Sequence, residues 1–358
     1  MLRSFWSPSS EPLSNRMHRA GIRGLRGPAA GGCVLAMALA AALAWALTLG
    51  CHRARPGADS AGRANAPEPT PVARSAPIGR GRAAVRPSLA ALEAAQRSMS
   101  TDSSSGGPKE TTCGPYRARS SAASEYSAVC ETLASQADAR YQARLGVTIS
   151  HPADGLILVF GSAERFRRFA SGFGGLPAGY SGFTMASRGV VAVSAEGLSR
   201  ERFASILVHE LAHLQHRRAF GPNLAPWLSE GLAEALASTA TASGFAELSG
   251  LRGAEPLADR LHQALRQGRV SSAAAVIEKS RSAFDREEVS LDYEASSLLV
   301  RFLLLDPDAS SRFRSALRRL AGPDGCDSGC LFEELQWDAT ELDHRFRAWL
   351  ERQVAAQP

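Results

Sequence analysis

The residues whose types and spacing could do chemistry lie in HELAH, residues 209–213. On an α-helix, His209 and His213 are four apart and stand one above the other on a single face, so both imidazoles can reach one ion. Glu210 is rotated away from that line. It can still take a proton from a water that the ion activates. Two neutral nitrogen donors and a carboxylate base are what a protein contributes to metal-assisted hydrolysis.

A catalytic zinc needs a third protein donor and keeps one position open. The metzincin pattern would place Gly at 216 and a third His at 219, where this chain has His216 and Ala219. That arrangement is excluded. PWLSEGLAEALA, residues 226–237, follows after a short loop, with Pro226 suited to a first helical turn and Glu230 one turn in. If this second helix runs antiparallel to the first, Glu230 reaches the two imidazoles. Two His, one Glu and a water form a catalytic zinc set.

Other residues near the motif read differently. His216, three residues after His213, is expected as a partly exposed cation near a helix end, outside the site. His262 and His344 lack a partner pattern and are expected on the surface. Trp227 and Leu228 are expected to pack beneath the ligand helix. The Gly-rich stretch 172–182 has no strand-to-helix phosphate signature, which argues against nucleotide binding.

The elements that must position these residues follow from periodicity. A helical pattern covers about 120–144, and the apolar run GLILVF from residue 155 reads as a buried strand. AERFRRFA, residues 163–170, is a short amphipathic helix. Residues 171–183 are expected to be turn or loop. GVVAVS, residues 189–194, reads as another strand, and Ser199 as the N-cap of the motif helix. From about 243 onward the pattern is helical, most clearly at 293–305 and 341–354. The fold class is therefore α+β: a small strand-rich lobe carrying the H-E-x-x-H helix, then a mainly helical subdomain.

Charge and cysteine usage place the chain. The formal net charge is +6 over 358 residues, but residues 1–87 hold 12 Arg, no Lys and 3 acidic residues. Removing their +9 leaves the remainder at −3, so the folded part lacks the basic face that nucleic-acid binding requires. Residues 33–49 are apolar apart from Thr48 and follow Arg16, Arg19, Arg23 and Arg26, which is the plan of an export or membrane-anchoring segment. Cys51, after Gly50, resembles a lipidation site; an uncleaved anchor is the other possibility. Residues 53–112 are rich in Pro, Ala, Gly, Ser and Arg and read as a largely disordered linker with a short helix at 88–98. The catalytic lobe is expected at 113–243 and the helical subdomain at 244–358. Beyond the targeting segment there are four cysteines, for which Cys113 with Cys130 and Cys326 with Cys330 are the favoured disulfides in an oxidising compartment.

HELAH followed by WLSEGLAE resembles the gluzincin metallopeptidases, and in particular the compact bacterial peptidase-MA-like group. The likeness runs from about residue 155 to 305. It implies a Zn²⁺ peptidase held by His209, His213 and Glu230, with Glu210 as general base. It also implies a supporting carboxylate behind His209 at Glu234, where the best-known members have Asp; otherwise Glu234 is a solvated helix-face charge. Tyr293 falls where related enzymes often supply a phenol to the reacting centre; the other reading is a half-buried core tyrosine. The strand at 189–194 would be the edge strand that holds an extended substrate. The expected protein is an exported, membrane-attached bacterial zinc metallopeptidase acting on a peptide or protein substrate. The alternative is a zinc-stabilised envelope scaffold without turnover, which would have no need of a base at Glu210.

Overall fold

Six consecutive buried residues, Gly155–Phe160, form the strand around which the rest is arranged. The computed structural model describes residues 108–149, 155–173, 180–251, 254–269, 272–280, 289–322 and 329–356, with Glu93, Arg97 and Met99. It is an α+β fold. The strands are β1 (Lys109–Cys113), β2 (Tyr116–Ser120), β3 (Gly155–Phe160), β4 (Gly182–Met185) and β5 (Val190–Ser194). They form one mixed sheet in the order β1-β2-β3-β5-β4, with β2, β3 and β5 parallel and β1 and β4 antiparallel to their neighbours.

Both faces of the sheet are covered, which is why β3 and β5 read as unbroken apolar runs. Ile157, Val159, Val191 and Val193 face the main core with α1 (Ser124–Leu145), α3 (Arg200–Phe220) and α4 (Pro226–Ala237). Leu156, Leu158, Phe160, Val190 and Ala192 face the opposite side. There α2 (Ala163–Ser171) lays Phe166 and Phe169 on the sheet, joined by Met99.

The expected N-cap is present: the Ser199 side chain accepts from Arg202 N–H at 3.2 Å and starts α3. Pro226 opens α4. A short two-stranded ribbon, β6 (Ala240–Thr241) with β7 (Gly244–Phe245), leads into helices α5 (Glu255–Arg266), α6 (Ala273–Glu278), α7 (Val289–Leu305), α8 (Ser310–Ala321), α9 (Gly329–Leu335) and α10 (Ala339–Ala355). Helix α7 packs closely along α4. A Cβ on Gly231 would come within 2.5 Å of Ser296 O and 2.6 Å of Val300 Cγ2, so the glycine after Glu230 is what permits the approach.

Four expectations change. The folded part starts before Cys113, because β1 and β2 pair across a tight turn at Gly114, whose φ is 59°. The Gly-rich stretch does not stay a loop: its end is β4. With β4 in place, β5 is interior and β4 is the edge strand, so the edge assignment for 189–194 is wrong. The reversal between them is made by a 3₁₀ turn, Ala186–Arg188, closed by Gly189 at φ 66°. Lastly, Cys113 and Cys130 are neighbours but remain thiols. Both are buried, with Cys130 hydrogen-bonded to Cys113 and each sealed from the solvent that thiol exchange requires.

Cys330 is disulfide-bonded. Its expected partner, Cys326, lies outside the described residues, as do the export segment, Cys51 and most of the linker. Of the short helix expected at 88–98, Glu93 and Arg97 are described and both are helical. Among the described residues, no helix is long and apolar enough to cross a membrane.

Candidate metal centre

Helix α3 is buried at nearly every position from Phe203 to Phe220, because the sheet, α1 and α4 surround it. The histidines are therefore almost fully buried. His209 and Glu230 are 1 % exposed and His213 is 2 % exposed. Helix α4 crosses against α3 and brings Glu230 to the pair, and the three form a group of converging donor atoms.

The spacing of those atoms is informative. His209 Nε2 and His213 Nε2 are 3.1 Å apart. Glu230 Oε2 lies 3.3 Å from His213 Nε2 and 3.6 Å from His209 Nε2. Atoms about 2.0–2.2 Å from a tetrahedral ion are roughly 3.3–3.6 Å from one another, so the triangle is close to the dimensions of one face of such a site. The contacts to Glu230 are long for charge-assisted hydrogen bonds, which run about 2.7–2.9 Å. Neither Glu230 oxygen has a hydrogen-bond partner. A buried carboxylate in that condition carries a large desolvation cost unless a cation sits against it.

Electrostatics agree with the geometry. For Glu230, burial disfavours the charge, yet His213 and His209 outweigh it and hold the carboxyl far below its usual range. For His209, burial favours the neutral ring, but Glu234, Glu230 and Glu210 outweigh it and raise its pKa well above the ordinary value. The pocket is thus built to hold positive charge among its acids, whether as a proton or as a metal ion.

The far sides of the rings are also engaged. His213 Nδ1 lies 3.2 Å from Ser229 Oγ, and with Nδ1–H donating to that oxygen, Nε2 turns its lone pair to the group. Glu234 Oε1 lies 3.1 Å from His209 Nδ1, an ion-pair contact rather than an aligned hydrogen bond. Ser229 was not foreseen from sequence. Its signal was position alone, next to the third donor.

Glu210 belongs to another set of contacts. Its side chain faces β4, where Thr184 Oγ1 lies 2.7 Å from both the Glu210 backbone oxygen and Oε2. The hydroxyl has one proton to donate between those two acceptors, so it ties the carboxylate to the edge strand. Gly182 leaves the room: a Cβ there would sit 2.7 Å from Ile206 Cγ2 and 3.0 Å from Glu210 Oε1. Neither Thr184 nor Gly182 was legible as a site residue: Gly182 sat in a stretch read as loop and Thr184 directly after it.

Tyr293 is buried on α7, the helix that packs on α4. His216 is not the exposed cation expected. It is 3 % exposed, packed between His213 and Tyr141, and burial first, then the charge of His213, keeps it neutral by lowering its pKa. The physical reason is that α8 and α1 cover this end of α3, so the helix terminus is interior. Trp227 and Leu228 are buried.

Two imidazoles and a carboxylate suit zinc better than magnesium or calcium, which prefer all-oxygen shells. No protein-family model matches the chain and no curated protein is significantly similar to it, so its function is read from the group's own geometry.

Proposed function

We propose that the chain is an exported zinc metallopeptidase of the gluzincin type, attached to a membrane through its N-terminal apolar segment and hydrolysing bonds in a peptide or protein substrate. The H-E-x-x-H helix would be the centre of a strand-rich lobe, with the helical region after it as a subdomain. The observation that carries the reading is the buried His209, His213 and Glu230 triangle with Glu210 one residue away, tied to the edge strand. His209, His213 and Glu230 would hold the zinc, which would supply a water of pKa about 7 and polarisation of a carbonyl.

The chain's own residues do the rest. Glu210 takes the proton of the attacking water on its carboxylate and returns it to the leaving amine nitrogen. Thr184 fixes the direction of that carboxylate. Ser229 and Glu234 fix the ring planes of His213 and His209, so that both Nε2 atoms face the same point. Tyr293 is proposed to stabilise the oxyanion that develops at the carbonyl.

The test is metal content beside cleavage of a broad peptide library. Wild type should hold about one zinc per chain and cleave. Glu210→Gln keeps size and removes basicity, so it should retain zinc while turnover falls by about 10²–10⁴ from loss of the base. Wild type that binds zinc and cleaves nothing, indistinguishable from Glu210→Gln, would mark a scaffold instead.

A further inference from the structure

Away from the histidines, helices α1 and α8 bring arginines to one cavity of about 200 Å³. Arg140, Arg144 and Arg314 line it, with Thr239 and Phe245 as neutral wall and Glu247 as the one acidic residue lining it among those described. Arg314 is held by backbone: its Nε donates to Arg144 O at 3.1 Å and its Nη1 to Ser310 O at 3.4 Å. Such bonds fix a guanidinium without neutralising it. Arg144 pairs with Glu247 at 3.1 Å, but that carboxylate is 79 % exposed and free to swing into water. Arg140 forms no ion pair among the described residues. Arg318, one turn along α8 from Arg314, adds a fourth positive charge beside Gly146, while the half-buried Glu334 it faces is already bonded to Arg319.

Like charges converging on a partly buried cavity repel one another, and burial followed by the charges of Arg144 and Arg318 makes protonated Arg314 harder to maintain. An anion in the cavity reverses the sign of that interaction. Planar guanidinium forks match tetrahedral oxyanions in bidentate geometry, better than they match a single carboxylate oxygen. We infer that this cavity binds the phosphate group of a ligand, displacing Glu247 from Arg144. The chemistry is shared by a free phosphate and by an anionic phospholipid headgroup. The reading is independent of the metal centre, since the cavity takes Leu236 and Thr239 at and beyond the end of α4, more than a helical turn past Glu230.

Isothermal titration of the full chain in neutral detergent tests it, with inorganic phosphate, acetate and chloride compared at equal ionic strength. Phosphate should bind with a dissociation constant below about 1 mM. Arg140→Gln should weaken binding about tenfold, and Glu247→Gln should tighten it several-fold by removing the competing carboxylate. A purely structural role for these side chains predicts no such opposite pair. Both changes leave the histidines untouched, so phosphate held at a metal would bind equally to all three proteins. Equal affinity across the three, or acetate binding as well as phosphate, overturns the inference. Dihexanoylphosphatidylglycerol binding well above inorganic phosphate, with the phosphatidylcholine analogue inert, assigns the site to a lipid headgroup; the reverse order assigns it to a soluble phosphate.

Discussion

Along α3, the turns that carry His209 and His213 and the turns that carry Gln215 and Arg218 both bury charge, but the partners differ. In the second region the protein supplies the main partners from within. Asp138 on α1 accepts from Tyr116 Oη at 2.5 Å and from Gln215 Nε2 at 2.9 Å, and Arg218 bonds Tyr116 Oη at 3.3 Å while stacking over its ring. In the first region the donor atoms point at one another, and the Glu230 oxygens accept nothing. A network closed on itself specifies packing. Converging nitrogen and carboxylate atoms at these distances are completed by a positive charge among them, a proton or a metal ion, so burial alone does not mark a functional site and the kind of satisfaction does.

The largest expected effect breaks the comparison at the metal. A ligand that binds only the folded state stabilises it by about 4 kcal/mol at 1,000 times its dissociation constant. Wild type should gain that increment when zinc is added to chelated protein, and His213→Ala or Glu230→Gln should gain almost none of it. Asp138→Ala should behave in the opposite way. It leaves Tyr116 and Gln215 without this acceptor and takes away the carboxylate 3.9 Å from Arg218 Nη1, and should cost about 1–3 kcal/mol, the same with and without zinc. Denaturant melts of these proteins, each with zinc and with chelator, measure both effects. A zinc-dependent loss in Asp138→Ala would merge the two regions into one.

How much of this was legible depended on where the constraint lived. Ser199, the four-residue spacing of His209 and His213, and Pro226 are local signals, and they located α3 and α4 from sequence. The edge strand was hidden because Gly182 is demanded by a long-range approach of Ile206 and Glu210, whereas in sequence a glycine beside other glycines reads as turn. Strand β2, YRARS, alternates buried Tyr116, Ala118 and Ser120 with more exposed Arg117 and Arg119, a period-two pattern too poor in β-branched residues to stand out. Cys113 and Cys130 were correctly neighbours, but contact between thiols does not dictate a bond. His216 was misread because sequence shows that a helix is ending, not that α1 and α8 cover its end.

A smaller effect sharpens the comparison from the far side of the ring. Ser229→Ala should leave the pair of Nε2 atoms in place but free the His213 Nδ1 side, lowering zinc affinity by about 10-fold, the low end for such supporting partners. Competition with a chromophoric chelator reads this directly. Ser229→Thr, which keeps the hydroxyl, should restore most of the affinity; failure of that rescue would mean the serine acts only through packing of α4.

The smallest effect lies at the seam between the two regions, at His216. Neither of its ring nitrogens has a hydrogen-bond partner, its ring packs against Tyr141 and His213, and its pKa is pushed down by burial. It is neither closed into the Asp138 network nor aimed into the donor triangle. A buried polar group without partners costs about 1–3 kcal/mol, so replacing it by an apolar ring of similar shape removes a cost while creating some crowding. His216→Phe should therefore leave stability within about 1 kcal/mol of wild type, or raise it, and leave zinc stoichiometry unchanged. A denaturant melt and a metal assay suffice. Loss of zinc in His216→Phe would show that the imidazole serves the metal after all, and the division drawn along α3 would have to move by one turn.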